Sequence, residues 1–198
     1  MTLATQGLAR RSKEEVLPVL ETERLILRAP RRADVKAITL LAGDHRVAEN
    51  TSRIPHPYRA EDAEQFLACI NRRPGEATFA VTVGDELIGL CAVETREQAL
   101  EIGYWIGVPF WGSGYATEAA RAVIDYAFGR LEHETLEAGA RCNNPASRRV
   151  LEKCGFQWTA VGLYRIRAIN SSAPFDRFRL DRGLWSSLKA WGRAQEVA

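Results

Sequence analysis

The chain has no apolar run approaching the roughly 20 residues that a membrane-spanning helix requires. Its first eleven residues lack the continuous apolar stretch of a secretory signal, and Arg10 and Arg11 stand on the wrong side for one. No membrane partner is expected, and the expected compartment is the cytoplasm. Cysteine is sparse. Cys69, Cys91, Cys142 and Cys154 form no CxxC pair and lie in apolar contexts, which predicts reduced, buried thiols rather than a disulfide framework. His45, His56 and His133 stand apart from one another and from the cysteines, so no metal-ligand spacing exists and no metal is expected. An excess of one charge is also missing: the formal net charge is +2, and basic pairs such as Arg31–Arg32 and Arg72–Arg73 are scattered along the chain. That distribution gives no footprint for a nucleic-acid partner. Internal repeats and low-complexity tracts are absent as well.

What is present is the make-up of an ordinary globular protein, 46% hydrophobic and 26% charged over 198 residues. A domain of that size buries enough apolar surface to need no covalent staple. Residues 1–20 are polar with weak periodicity and read as a flexible or loosely docked leader; residues 21–198 read as a single domain.

Within that domain, alternation over 23–28 predicts a strand, ended by Pro30. Asp34 is placed to cap a helix carrying Val35, Ile38 and Leu41 on one side. Ala63, Phe66, Leu67 and Ile70 recur at helical spacing, and Pro74–Gly75 stops that helix. Strands follow over 77–83 and 87–93, joined by a tight turn at Gly84–Asp85. A third strand over 100–108 runs into Trp111–Gly112–Ser113–Gly114–Tyr115, and a long helix over 116–128 is closed by Gly129. A strand over 136–142 precedes a helix from Pro145 to Lys153 that Gly155 terminates. Strands near 161–169 and 175–181 and a helix over 184–191 complete the chain. The order predicts an α+β (mixed α/β) layout around one sheet.

The turn from Trp111 to Ala116 carries the chemistry. A glycine-rich turn between a strand and a helix exposes successive backbone N–H groups at the positive end of the helix dipole, which suits an anionic diphosphate. Glycine used only for turn geometry is the bland alternative. A Walker A loop is excluded, because no Lys-Ser or Lys-Thr follows the second glycine. A dinucleotide fingerprint would need glycine or alanine where Thr117 stands, and the acidic residues at the expected distance, Glu132 and Glu134, fall in a polar turn rather than at a strand end.

The run EIGYWIGVPFWGSGYATEA from Glu101 to Ala119 resembles the acetyl-CoA motif of GNAT acetyltransferases, with Trp111 where the family has Gln or Arg. It is similar in particular to the ribosomal-protein N-acetyltransferase (RimJ/RimL-like) branch. So are the opening ETERLILR from Glu21 to Arg28, the segment NPASRRVLEKCGF from Asn144 to Phe156, and FDRFRL from Phe175 to Leu180. The resemblance covers about residues 21–182. It implies the GNAT acyl-CoA N-acyltransferase fold, a central, mostly antiparallel twisted sheet flanked by helices. It implies acetyl-CoA as cosubstrate, the amides of Gly112, Ser113, Gly114, Tyr115 and Ala116 on its diphosphate, and Thr117 beside them. Ile106 to Val108 would pair with the pantetheine arm like an added strand, Asn144 would hydrogen-bond it, and Ser147 would lie near the thioester sulfur.

An amine is mostly protonated at neutral pH, with a pKa of about 10.4 for lysine and 7.7–8.0 for an α-amine, so attack on a thioester calls for a base. Glu101, on the strand feeding the turn, is the candidate. Ser147 or Tyr164 would assist the leaving thiolate, and Glu118 in the first helical turn would favour the dipole. Direct attack in a ternary complex is expected, without an acyl-enzyme. The acceptor is a protein N-terminal α-amine or a small-molecule amine such as a polyamine, amino acid or aminoglycoside. The segment from Gly43 to Arg59 helps form its cleft, and Tyr104, Trp105 and Trp111 are candidate walls. A non-catalytic acyl-CoA-binding module is the alternative of a different class. The branch is compatible with a homodimer, for which no sequence feature argues.

Overall fold

The computed structural model describes residues 17–96, 99–131 and 133–196, with side chains through Trp191. Eight strands make one sheet in the order β1-β2-β3-β4-β5-β6-β8-β7. The strands are β1 (Leu20–Glu21), β2 (Ile26–Arg28), β3 (Ala77–Val83), β4 (Glu86–Arg96), β5 (Ala99–Ile106), β6 (Thr135–Arg141), β7 (Gln157–Ile166) and β8 (Ser171–Asp181). The helices are α1 (Val35–Ala42), α2 (His45–Ala48), α3 (Ala60–Cys69), α4 (Tyr115–Arg130), α5 (Pro145–Lys153) and α6 (Arg182–Glu196). Every pairing is antiparallel except that of β5 with β6, as the resemblance implied.

That exception positions the site. β5 and β6 are joined through α4, a crossover that a parallel pair requires. They pair only at Glu101↔Glu137 and Ile102↔Ala138. β5 continues to Ile106 and β6 to Arg141 without further ladder partners between them, so the sheet parts at this seam.

The main core fills one face of the sheet. Leu27 and Phe79, Ile88 and Val93, Ile102 and Leu136 pack there with the buried side of α4, which presents Ala119, Ala120, Val123, Ile124, Ala127 and Phe128. Phe79 meets Tyr126 of α4 edge-on, with ring centroids 5.4 Å apart. On the opposite face α1 and α3 cover Ala80, Leu87 and Leu90, with Trp105 beside them.

Several expectations need correction. Leu20, read as leader, is in β1 and packs with Leu17 against the core, while residues 1–16 lie outside the described residues. Asp34 stands at the N-cap position of α1, but its side chain makes no cap bond there: its carboxylate accepts from the Arg31 amide at 2.6 Å and from Arg28 Nη1 and Nη2 at 2.8 Å, tying the turn to β2. Gly129 does not close α4, which continues to Arg130, and the strand expected over 161–169 runs from Gln157 to Ile166. Only Cys91 and Cys154 of the four thiols are buried; Cys142 is half-buried and Cys69 exposed.

Because Phe79 fixes α4 to the sheet from a fully buried position, Phe79→Ala is expected to lower unfolding free energy by about 3–5 kcal/mol. Urea denaturation measures it, and a loss below about 1 kcal/mol would contradict this packing.

Candidate active site

After Ile106 the backbone makes a short 3₁₀ turn, Val108–Phe110, and swings into the glycine turn. Gly112 and Gly114 have φ of +81° and +82°, a left-handed conformation that L side chains resist. With two such residues the turn curls back on itself before α4 begins at Tyr115. The amides of Phe110 and Trp111 bond to Gly107 and Val108 carbonyls, and those of Thr117 and Glu118 bond to the Gly114 carbonyl. Among the described residues, the five amides between them, 112 to 116, meet no protein acceptor.

These amides stand beside a cavity of about 420 Å³. The turn and the start of α4 supply Gly112, Gly114, Tyr115, Ala116 and Thr117; β5 supplies Tyr104, Trp105 and Ile106; α5 supplies Ser147, with its cap Asn144. Arg46, Val47, Asn50 and Thr51 from the α2 segment close a further side, within the 43–59 stretch expected to border the cleft.

Asn144 and Ser147 arrive together for a local reason. Asn144 is the N-cap of α5, its side-chain oxygen accepting from the Ser147 amide at 3.1 Å. α5 is held to the sheet by Arg148, which pairs with the buried Asp176 of β8 at 3.1 Å. The Ser147 hydroxyl then lies 3.0 Å from the phenolic oxygen of Tyr104, which also donates to the Ser147 carbonyl at 3.1 Å. Burial pushes the Tyr104 phenol well above its usual range despite the Ser147 bond, so it stays protonated and can donate.

The other sequence candidates lie elsewhere. Tyr164 does not line the cavity. Its ring packs against Phe175 at 5.2 Å, with the guanidinium groups of Arg96 and Arg177 4.7 and 5.4 Å from its centre. Glu101 belongs to the same cluster through an ion pair with Arg96 at 3.2 Å, on the sheet face opposite Tyr104. Ser113 and Val108 are not in the lining either, and the Ile106 carbonyl is already engaged by the Trp111 indole at 2.6 Å. The edge of β5 left open by the parting strands is therefore the stretch before Ile106.

Sequence reasoning missed the Tyr104 hydroxyl and two cations on the rim, Arg149 and Lys153. The latter sit four apart on α5, a spacing that puts both on one helix face. It also missed the use of the opening motif. Glu118 accepts from Thr22 Oγ1 at 2.6 Å, from the Arg24 amide at 2.9 Å and from Arg24 Nε at 2.8 Å, so the β1–β2 connection is clamped to the first turn of α4. Burial by itself pushes the Glu118 carboxyl up, but the bonds from Thr22 and Arg24 outweigh it and hold the group below the usual carboxylate range.

The class follows from this arrangement and from comparison. Residues 24–157 match the family described as the acetyltransferase (GNAT) domain, and the chain belongs to that family. It is thus an acetyl-CoA-dependent N-acetyltransferase with the GNAT fold. More particularly, the chain is 30% identical over 171 residues to an uncharacterized N-acetyltransferase, YoaA, of Bacillus subtilis, covering 81% of this chain and 94% of that one. It is 29% identical over 90 residues to the ribosomal-protein-serine acetyltransferase of Escherichia coli, covering 44% and 50%. Mycobacterium smegmatis RimJ, solved in complex with CoA-disulfide, shares the fold at a TM-score of 0.71 with 20% identity, over 85% of this chain and 90% of that one.

A carboxyl held below its unfolded pKa adds stability that is fully present above that value and is lost as pH falls through the folded value. For Glu118 the loss begins below about 4.5, the ordinary glutamate value. Glu118→Gln is expected to lower Tm at pH 7 and to narrow its gap to the wild type as pH falls below about 4. A gap independent of pH, in thermal melts from pH 3 to 7, would contradict a charged clamp.

Proposed function

We propose that this protein acetylates a primary amine by direct attack in a ternary complex, with a protein N-terminal α-amine as the acceptor and the turn at 112–116 as the holder of the acetyl-CoA diphosphate. The observation that carries the reading is the row of amides at the mouth of α4 that meet no protein acceptor beside the cavity. Oriented N–H groups at a helix N-terminus suit an anion, and among the described residues no side chain bonds to them. Bound acetyl-CoA supplies an acyl thioester.

The chain's own groups divide the remaining work. The open edge of β5 before Ile106 receives the pantetheine arm in the manner of an added strand, and the amide side chain of Asn144 flanks it. Arg149 and Lys153 line the same cavity and add positive charge near the phosphates. Ser147 and Tyr104 form one hydrogen-bonded pair, and Tyr104, kept protonated by burial, supports Ser147 as the donor to the departing thiolate. That thiolate has a pKa near 8.5, so one hydrogen bond is adequate help. Tyr164, stacked among arginines away from the cavity, is not assigned this role.

Deprotonation of the amine is the step with least support around the cavity. Glu101 is the candidate base, on the far face of β5 and held by Arg96. At pH 7 roughly one α-amine in seven is already neutral, against roughly one lysine side chain in 2,500. An acceptor with the lower pKa makes the smaller demand on a base that stands outside the cavity, and this favours an α-amine over a lysine or a polyamine. The ribosomal-protein-serine acetyltransferase among the relatives, named for a protein acceptor, supports a protein over a small molecule.

A thiol-release assay tests the acceptor. Peptides with a free α-amine are expected to turn over at least about tenfold faster than N-terminally blocked lysine peptides, spermidine or an aminoglycoside. A preference for any of the latter would overturn the α-amine reading, and acetyl-CoA binding with no turnover on any amine would favour a binding module. Separately, Glu101→Gln is expected to lower kcat by about tenfold or more. An unchanged turnover and pH–rate profile would remove Glu101 as the base.

A further inference from the structure

Arg24 reaches the glycine turn from outside, and its contacts are specific. Nη1 donates to the Ser113 carbonyl at 2.9 Å, Nε donates to Glu118 at 2.8 Å, Nη2 pairs with the same carboxylate at 2.6 Å, and the guanidinium lies 4.8 Å from the centre of the Tyr115 ring. The Arg24 amide donates to Glu118 as well, and Thr22 completes the set. Glu118 lies in the first turn of the helix that the Ser113–Gly114 peptide precedes. The contacts therefore close a ring from helix to Glu118, to Arg24, to the Ser113 carbonyl, and back to the helix.

The Ser113 carbonyl and the Gly114 amide belong to one planar trans peptide, so they point in opposite directions. With the carbonyl bonded to Arg24, the Gly114 amide points away from Arg24; Gly114 also lines the cavity, whereas Arg24 borders only the groove on the other side. A flip of this peptide would move Gly114 from its φ of +82° into the ordinary negative range, which glycine populates as readily. It would also turn a carbonyl oxygen toward the place assigned to the diphosphate. The anion-binding orientation is thus not enforced by the glycine and has to be held from outside.

We propose that Arg24 is the positioning residue that holds it, locking the 113–114 peptide with its amide toward the cofactor, while Glu118 and Thr22 fix Arg24. This rests on the cofactor reading above. It differs from a simple charge effect because the rigid guanidinium plane grips the Glu118 carboxylate through Nε and Nη2 while Nη1 holds the Ser113 carbonyl, a fixed geometry that the point-like ammonium of lysine lacks.

The test is acetyl-CoA affinity by calorimetry together with steady-state kinetics for the wild type, Arg24→Gln, Arg24→Lys and Glu118→Gln. Loss of a charge-assisted hydrogen bond predicts that Arg24→Gln raises Kd and KM for acetyl-CoA about tenfold, with kcat at saturation within about twofold. Arg24→Lys is expected to behave like Arg24→Gln, and Glu118→Gln to shift KM in the same direction. Melting curves on the same samples, and kinetics run well below each Tm, separate this from a folding defect. Full rescue by Arg24→Lys would overturn the proposal in favour of charge alone. Unchanged affinity in Arg24→Gln, or a fall in kcat without a change in KM, would overturn it outright. A wild-type chain that fails to bind acetyl-CoA would instead overturn the cofactor reading beneath it, a result seen before any variant is compared.

Discussion

The structure is organised around a row of main-chain N–H groups that, among the described residues, have no protein partner where α4 begins. Backbone donors are ordinarily satisfied, and a helix start is a regular place where several are open by construction. Here the number is extended beyond the helix by two left-handed glycines, and Gly112, Gly114, Tyr115 and Ala116 all line one cavity. An anion at such a site gains from the dipole by about 0.3–1 kcal/mol at an exposed helix end, and up to about 2 kcal/mol when partly buried. Several aligned hydrogen bonds add to that.

Much of the fold serves to hold that corner open. The parallel β5–β6 pair is short, so the sheet parts where the cavity lies. α4 cannot shift to fill the gap, because its apolar side is embedded in the main core against Phe79 and its neighbours. α5 is pinned by Arg148 to Asp176, which sets Asn144 and Ser147 on the opposite bank. Thr22 and Arg24 clamp the near end of α4 from outside through Glu118. Each constraint acts on backbone position rather than on a reactive side chain, which suits chemistry that depends on holding two substrates in register.

The strands and long helices were legible because their signals are repetitive. The nearly all-buried run of β3 and the six-residue apolar stripe of α4 leave little choice of element. The glycine turn, Asn144 and Ser147 were legible because a cap and a left-handed turn demand particular residue types. Glu101 and Tyr164 lie outside the cavity lining, a relation that no local pattern could reveal, since alternation along a strand tells only which residues share a face. Tyr104, next to Trp105 on the same strand, was seen only as a wall, since nothing local says that its hydroxyl meets Ser147 across 43 positions. α2 spans only His45–Ala48, too short for any period to register. The ETERLILR motif was recognised without its reason, because the Arg24–Glu118 contact spans 94 residues.

The most direct test of the account is an amide-resolved NMR titration of the wild-type chain with coenzyme A. The account predicts that the largest ¹H–¹⁵N shift changes fall on Gly112, Gly114, Tyr115 and Ala116, with smaller ones on the β5 edge before Ile106. Saturable shifts concentrated instead on β7 and β8, with the 112–116 amides unmoved, would contradict it.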